Sequence, residues 1–289
     1  MAVSNASDSF ENDDRERDTP DIAFQFVAAV YGGALLAGFV TTATALVSES
    51  LTVLAATYAG SFVVGASGGL ALASVDRQLP TRLGRTFTRR LALIGPVVPL
   101  GLVVVGAWLA GLESYVDAVA LPSAILVFVT GHMLSQLAEN RYVDRVVNGN
   151  PDTTWAWEPP GSLKLDGILV GLYLLLATGN AAVGNWLQTL LWVSLGGLWV
   201  GNCLVDGRWR IGPGTDRTEI QFHDAGLVKR RPYTRSLVRW DEINHVRMQR
   251  GDLVVDRGLR DVRFDRGELE DPDAFLEAID RRLAAQEPS

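Results

Sequence analysis

Six apolar runs set the plan of this chain: residues 22–47, 51–75, 91–112, 118–138, 167–183 and 186–205, none with a single Asp, Glu, Lys or Arg. The shortest has 17 residues, long enough for a helix to cross a ~30 Å hydrocarbon core. The pattern therefore predicts six transmembrane helices, with a membrane domain over 22–207. From residue 208 the period changes. Thr218, Ile220 and Phe222 alternate with Arg217, Glu219 and Gln221, which is a half-buried strand. His223–Gly226 reads as a turn, Leu227–Arg231 and Ser236–Trp240 as the next strands, and Leu253–Asp256 and Val262–Phe264 as later ones. Asp271-Pro272 then starts a helix, Asp as N-cap and Pro at the first helical position, with Phe275, Leu276, Ile279 and Leu283 as its apolar stripe.

The 26 Lys+Arg and 33 Asp+Glu all lie outside the six runs. This excludes a soluble globular enzyme and a disordered chain; a single cysteine, Cys203, excludes a disulfide scaffold and a thiolate metal cluster. Residues 1–21 are acidic and nearly free of apolar side chains, so they are expected to be disordered. Only two lysines stand against 24 arginines, on an acidic background. That composition is the one expected of a halophilic archaeon with a GC-rich genome.

The connections alternate in charge. Those at 48–50, 113–117 and 184–185 carry no Lys or Arg. The 76–90 connection carries Arg77, Arg82, Arg85, Arg89 and Arg90, and 139–166 carries Arg141, Arg145 and Lys164. The positive-inside rule then predicts a multi-pass protein of the cell membrane with both termini cytoplasmic. Its outer turns are too short to build a binding site, so recognition is expected in the bilayer or the cytoplasm. The inner segment 148–162 ends in Pro159-Pro160-Gly161 and should not be helical throughout. Its Trp155 and Trp157, on one face of an extended segment, are expected to anchor at headgroup level.

Within the spans, Gly167/Gly171 and Gly197/Gly201 form G-x-x-x-G pairs, read as packing faces inside the chain, with a dimer face as the alternative. Pro96, Pro99 and Pro122 are read as kinks near span ends. His132, Gln136 and Asn140 fall at i, i+4 and i+8, one polar stripe descending toward the cytoplasmic end of span four. Hydrogen bonding between helices is the expectation for the stripe, and a proton or solute path the rival reading. Catalytic, cofactor and metal constellations are absent from the sequence.

The tail 208–289 holds 16 basic and 16 acidic residues, so nucleic-acid binding is not expected. Its one basic patch is Lys229, Arg230 and Arg231 with Arg235, the candidate contact to anionic lipid headgroups or a cytoplasmic protein partner. The stretch TEIQFHDAGLVKRR and the following VRWDEINHVRMQRGDLVV are similar to the pleckstrin-homology-like domain appended to small bacterial and archaeal membrane proteins. Trp240, Glu242, Ile243 and Val246 hold the places of that family's W-[DE]-E-I-x-x-V segment. The resemblance covers about 75 residues, implies several antiparallel strands closed by one helix, and implies a docking module more than an enzyme. Five or six strands are countable in the tail. The expected protein is thus a six-helix membrane bundle with a small β-rich cytoplasmic domain. Its expected role is a non-enzymatic scaffold or regulator whose tail docks a partner or the inner leaflet; the alternative is a small transporter or channel regulated by that tail.

Overall fold

The computed structural model describes residues 21–111, 115–147, 149–158, 161–209, 218–249, 252–258 and 261–285. The acidic N-terminal segment and the turn at Arg250-Gly251 lie outside the described residues. Among them, six helical segments are long and apolar enough to cross a membrane. The chain divides into two compact units, and the longest helix belongs to both.

The first unit comprises 21–82 and 88–135. Helix α1 (Ile22–Ala45) starts at Asp21, whose carboxylate accepts from the Phe24 amide at 3.1 Å. Helix α2 (Leu51–Val75) starts at Ser50 and buries only Leu54 and Ala73. Side chains such as Val75 (85% exposed) and Leu72 (68%) stand open on it, a surface suited to lipid and not to water. The close approach of α1 and α2 depends on glycine: a methyl group at Gly32 would stand 2.5 Å from the Gly65 carbonyl oxygen. After the short helix α3 (Leu79–Gly84), the third apolar run is broken into α4 (Phe87–Ile94) and α5 (Val97–Leu109). The break falls at Gly95-Pro96, where proline lacks the amide that would continue the ladder. The Tyr31 hydroxyl donates to the Leu93 carbonyl there at 2.9 Å. Ala34, Leu100, Ala124 and Val127 form the core of this part.

Helix α6 (Tyr115–Val146) has 32 residues, about 48 Å at 1.5 Å per residue. It outruns both its apolar stretch and a bilayer core, so residues 139–146 form a polar helical extension instead of the expected loop.

The second unit comprises 83–87 and 136–285. Helices α7 (Leu163–Ala182) and α8 (Trp186–Val205) make a hairpin of equal arms, with Tyr173 stacked on Trp192 at 6.2 Å. The G-x-x-x-G pairs do not make its seam. A Cβ at Gly167, Gly171, Gly197 or Gly201 would meet no described atom within 4 Å.

The β domain has a four-stranded antiparallel sheet, β1 (Thr153–Ala156), β2 (Glu219–His223), β3 (Gly226–Arg230) and β4 (Arg235–Arg239), in that order. A three-stranded sheet follows with β5 (His245–Gln249), β6 (Asp252–Asp256) and β7 (Val262–Asp265). Helix α9 (Pro272–Ala284) closes it, capped by Asp271 through the Ala274 amide at 3.0 Å. The strand missing from the tail count is β1, and it comes from the connection between α6 and α7. Thr153–Ala156 pairs with Phe222–Glu219, and the Trp157 amide donates to the Thr218 carbonyl at 3.2 Å. On the other side the Glu158 amide donates to the Glu268 carbonyl at 2.9 Å. Trp157 is therefore not a headgroup anchor. It is 3% exposed, in one core with Ile220, Phe222, Trp240, Phe264 and Phe275, while Trp155 packs edge-on to Phe275.

Candidate functional site

Two of the polar residues singled out by pattern, Asn140 and Arg235, meet where the β domain packs on the polar extension of α6 within the second unit. Asn140 lies on the polar extension of α6. Its amide NH2 donates to the Tyr233 carbonyl at 2.9 Å, and its oxygen accepts from the Arg235 amide at 2.7 Å. One side chain thus satisfies both backbone groups at the β3–β4 turn. One helical turn further along, Asp144 pairs with the Arg235 guanidinium. Of the other stripe members, Gln136 is half-buried in the same unit, and His132 lies in the first unit, stacked on Phe128 at 6.3 Å. Asn140 is the member whose polar groups are accounted for, and they are spent on the β domain.

Strand alternation divides the basic run as its spacing requires. Lys229 pairs in register with Ile220 and Ser236, and Ile220 is a core residue, so Lys229 points to the inside face. Arg230 lies opposite Glu219 and Arg235 on the outer face. The Lys229 ammonium sits 4.2 Å from the centre of the Phe264 ring and 5.2 Å from that of Trp157, while the Arg231 guanidinium lies 5.5 Å from Trp157. Burial pushes the Lys229 pKa down to about 7; Arg231 adds to the depression and Glu268 partly opposes it. The ring faces favour the charged form and act against that shift. Lys229 and Arg231 are thus turned onto the core tryptophan, and Arg235 is held by α6. This is not the geometry of a strand offering three cations to a leaflet.

A second element of the seam escaped the sequence reading. Ser162 caps α7, so Asp166 falls in the first helical turn, where a carboxylate complements the helix dipole. Its side chain is 3% exposed and pairs with Arg208, just past α8, at 3.0 Å. Arg208 also lies over the Trp199 ring at 5.4 Å and within 3.9 Å of Asp206, which in turn pairs with Arg231 at 2.5 Å. An alternating series of charges therefore runs from α7 through the end of α8 to β3 and the face of Trp157. The signal was position: Asp166 directly precedes the fifth apolar run and Arg208 closely follows the sixth. Residues 166 and 208 both lie at the open end of one hairpin, so opposite charges there can pair.

Elsewhere in the domain His223 is buried, which pushes its pKa down, with Asp152 and Asp224 pulling it back. Arg282 of α9 bridges those two carboxylates and ties the helix to the β1–β2 end. Among the described residues no three His, Cys, Asp or Glu side chains come together as metal ligands. The site is a mechanical joint of hydrogen bonds, charge pairs and one inserted strand. Comparison with protein-family models, curated proteins and solved structures finds no match to this chain.

Proposed function

We propose that this is a non-enzymatic, membrane-anchored regulator or scaffold. In this reading a pleckstrin-homology-like cytoplasmic domain is fixed to the inner ends of spans four, five and six and presents its outer surface to a protein partner. The observation that carries it is Asn140, which bonds the β3–β4 turn through both halves of its amide. A tail meant to search for a ligand on a flexible tether has no use for such a clamp. Four antiparallel strands, three more and a closing helix support the likeness to the pleckstrin-homology-like fold. The basic connections 76–90 and 139–166 support a cytoplasmic placement. The inward turn of Lys229 and Arg231 favours a protein partner over the leaflet for this domain.

The test is reconstitution of the full chain in sealed vesicles, assayed for proton and small-ion flux, beside cross-linking in native membranes. The expected result is no flux above empty vesicles, and a cross-linked partner that is lost when Asn140→Ala and Asp144→Ala are combined. Flux that disappears in His132→Ala or Gln136→Ala would replace this reading with the transporter one.

A further inference from the structure

We propose that the connection between α2 and α5 is a binding site for anionic phospholipid headgroups, with Arg77, Arg82 and Arg89 as its contacts. Residues 76–90 hold five arginines against one acid, Asp76, so the segment carries four net positive charges in fifteen residues. The apolar runs end at Val75 and resume at Leu91, which keeps the whole segment within a few residues of the bilayer's polar layer. It is also folded. Arg82 pairs with Asp76 at 3.0 Å while its side chain stays 62% exposed. Arg89 donates to the Arg82 carbonyl at 2.9 Å, so these two guanidinium groups belong to a tied corner and not to a floating loop. Arg77 and Arg89 are exposed. Phe87 and Leu91, at i and i+4 on α4, are 45% and 51% exposed and form an apolar face turned away from Arg89, as on a helix lying at a membrane interface. Planar guanidinium groups match phosphate oxygens, and a helix with cations on one face and exposed apolar side chains on the other, at headgroup depth, suits a phosphate that carries acyl chains better than a free phosphate. Lys229 and Arg231 of the β domain are turned onto its core rings, whereas Arg77, Arg82 and Arg89 are exposed, so this corner is the stronger lipid contact.

The experiment is native mass spectrometry of the full chain in detergent, titrated with phosphatidylglycerol, phosphatidylcholine or inorganic phosphate. Wild type should retain phosphatidylglycerol in preference to phosphatidylcholine, and inorganic phosphate should not displace it. Near a charged surface each arginine is worth about fivefold at low salt, so R77Q/R82Q/R89Q should retain roughly 100-fold less phosphatidylglycerol. R77K/R82K/R89K should keep most of it. Equal retention of both lipids, displacement by phosphate, or a loss in the lysine variant as large as in the glutamine one would each overturn the proposal. Detergent removes sidedness, so failure here is separate from failure of the regulator reading.

Discussion

Trp157→Ala is expected to unfold the β domain while leaving the apolar helices intact, although residue 157 lies about sixty residues before the domain's main segment. Its ring is 3% exposed and meets Phe264 edge-to-face at 5.8 Å. Its indole N–H donates to Glu268 at 3.3 Å, and its carbonyl accepts from the Thr218 hydroxyl. Truncating a core tryptophan costs about 3–5 kcal/mol. A domain of this size has only about 5–15 kcal/mol to lose. The substitution also removes the platform under Lys229 and Arg231, leaving two cations against a void. Thermal melting of the full chain in detergent, followed by near-ultraviolet circular dichroism and by proteolysis of 218–285, measures this. A surface anchor would behave otherwise: its loss should shift the domain's stability by no more than about 0.5 kcal/mol. By the same argument, residues 208–289 expressed alone lack β1 and Trp157 and should fold poorly.

Asp166→Ala carries the second large effect. The carboxylate is almost wholly buried, and its removal leaves the largely buried Arg208 charge with the Trp199 ring and the more distant Asp206 to face. Breaking one side of a buried pair costs about 3–5 kcal/mol, whereas replacing both partners by apolar groups of similar volume is often close to neutral. Asp166→Ala should therefore lower the midpoint of helix melting and loosen the α7–α8 hairpin at its open end. Asp166→Leu combined with Arg208→Met should recover most of the loss. A single variant that melts like wild type would mean the pair is solvated and adds little to the joint.

Much of this architecture is legible in residue order. The uncharged runs mark the apolar helices because a bilayer excludes unpaired charge. The alternations at Ile220/Phe222 and Val262/Phe264 mark strands because one face of each sheet is core. The sequence is silent where pairing is non-local. Thr153–Ala156 is a strand only because β2 accepts it as an edge, and nothing within 148–162 states that it belongs to a domain sixty residues later. Trp155 and Trp157 fit a headgroup belt and a protein core equally well by composition; the partner across the ladder decides between them. Asp166 was hidden by a boundary: an apolar run counted from Gly167 leaves the carboxylate in a loop, whereas the Ser162 cap draws it into the helix. Asn140 was visible as part of a stripe, but helical spacing says which residues share a face and not what lies against it. Alternation puts Lys229 and Arg231 on one face; that this face is the core follows from the register of Lys229 against Ile220, a tertiary fact.

The central claim is that one β domain is built from two segments separated by two apolar helices. Thr154 and Gln221 are direct cross-strand partners on the face away from Ile220. Facing Cβ atoms on paired strands stand about 4.5–5.5 Å apart, within reach of a disulfide after slight adjustment. Thr154→Cys with Gln221→Cys, in a Cys203→Ser background, should form an intramolecular disulfide under mild oxidation, identified by mass spectrometry of the linked peptides. Thr154→Cys with Val228→Cys, two strands apart at roughly 10 Å, should not. A chain whose β domain still melts cooperatively but yields no 154–221 link would contradict the shared domain.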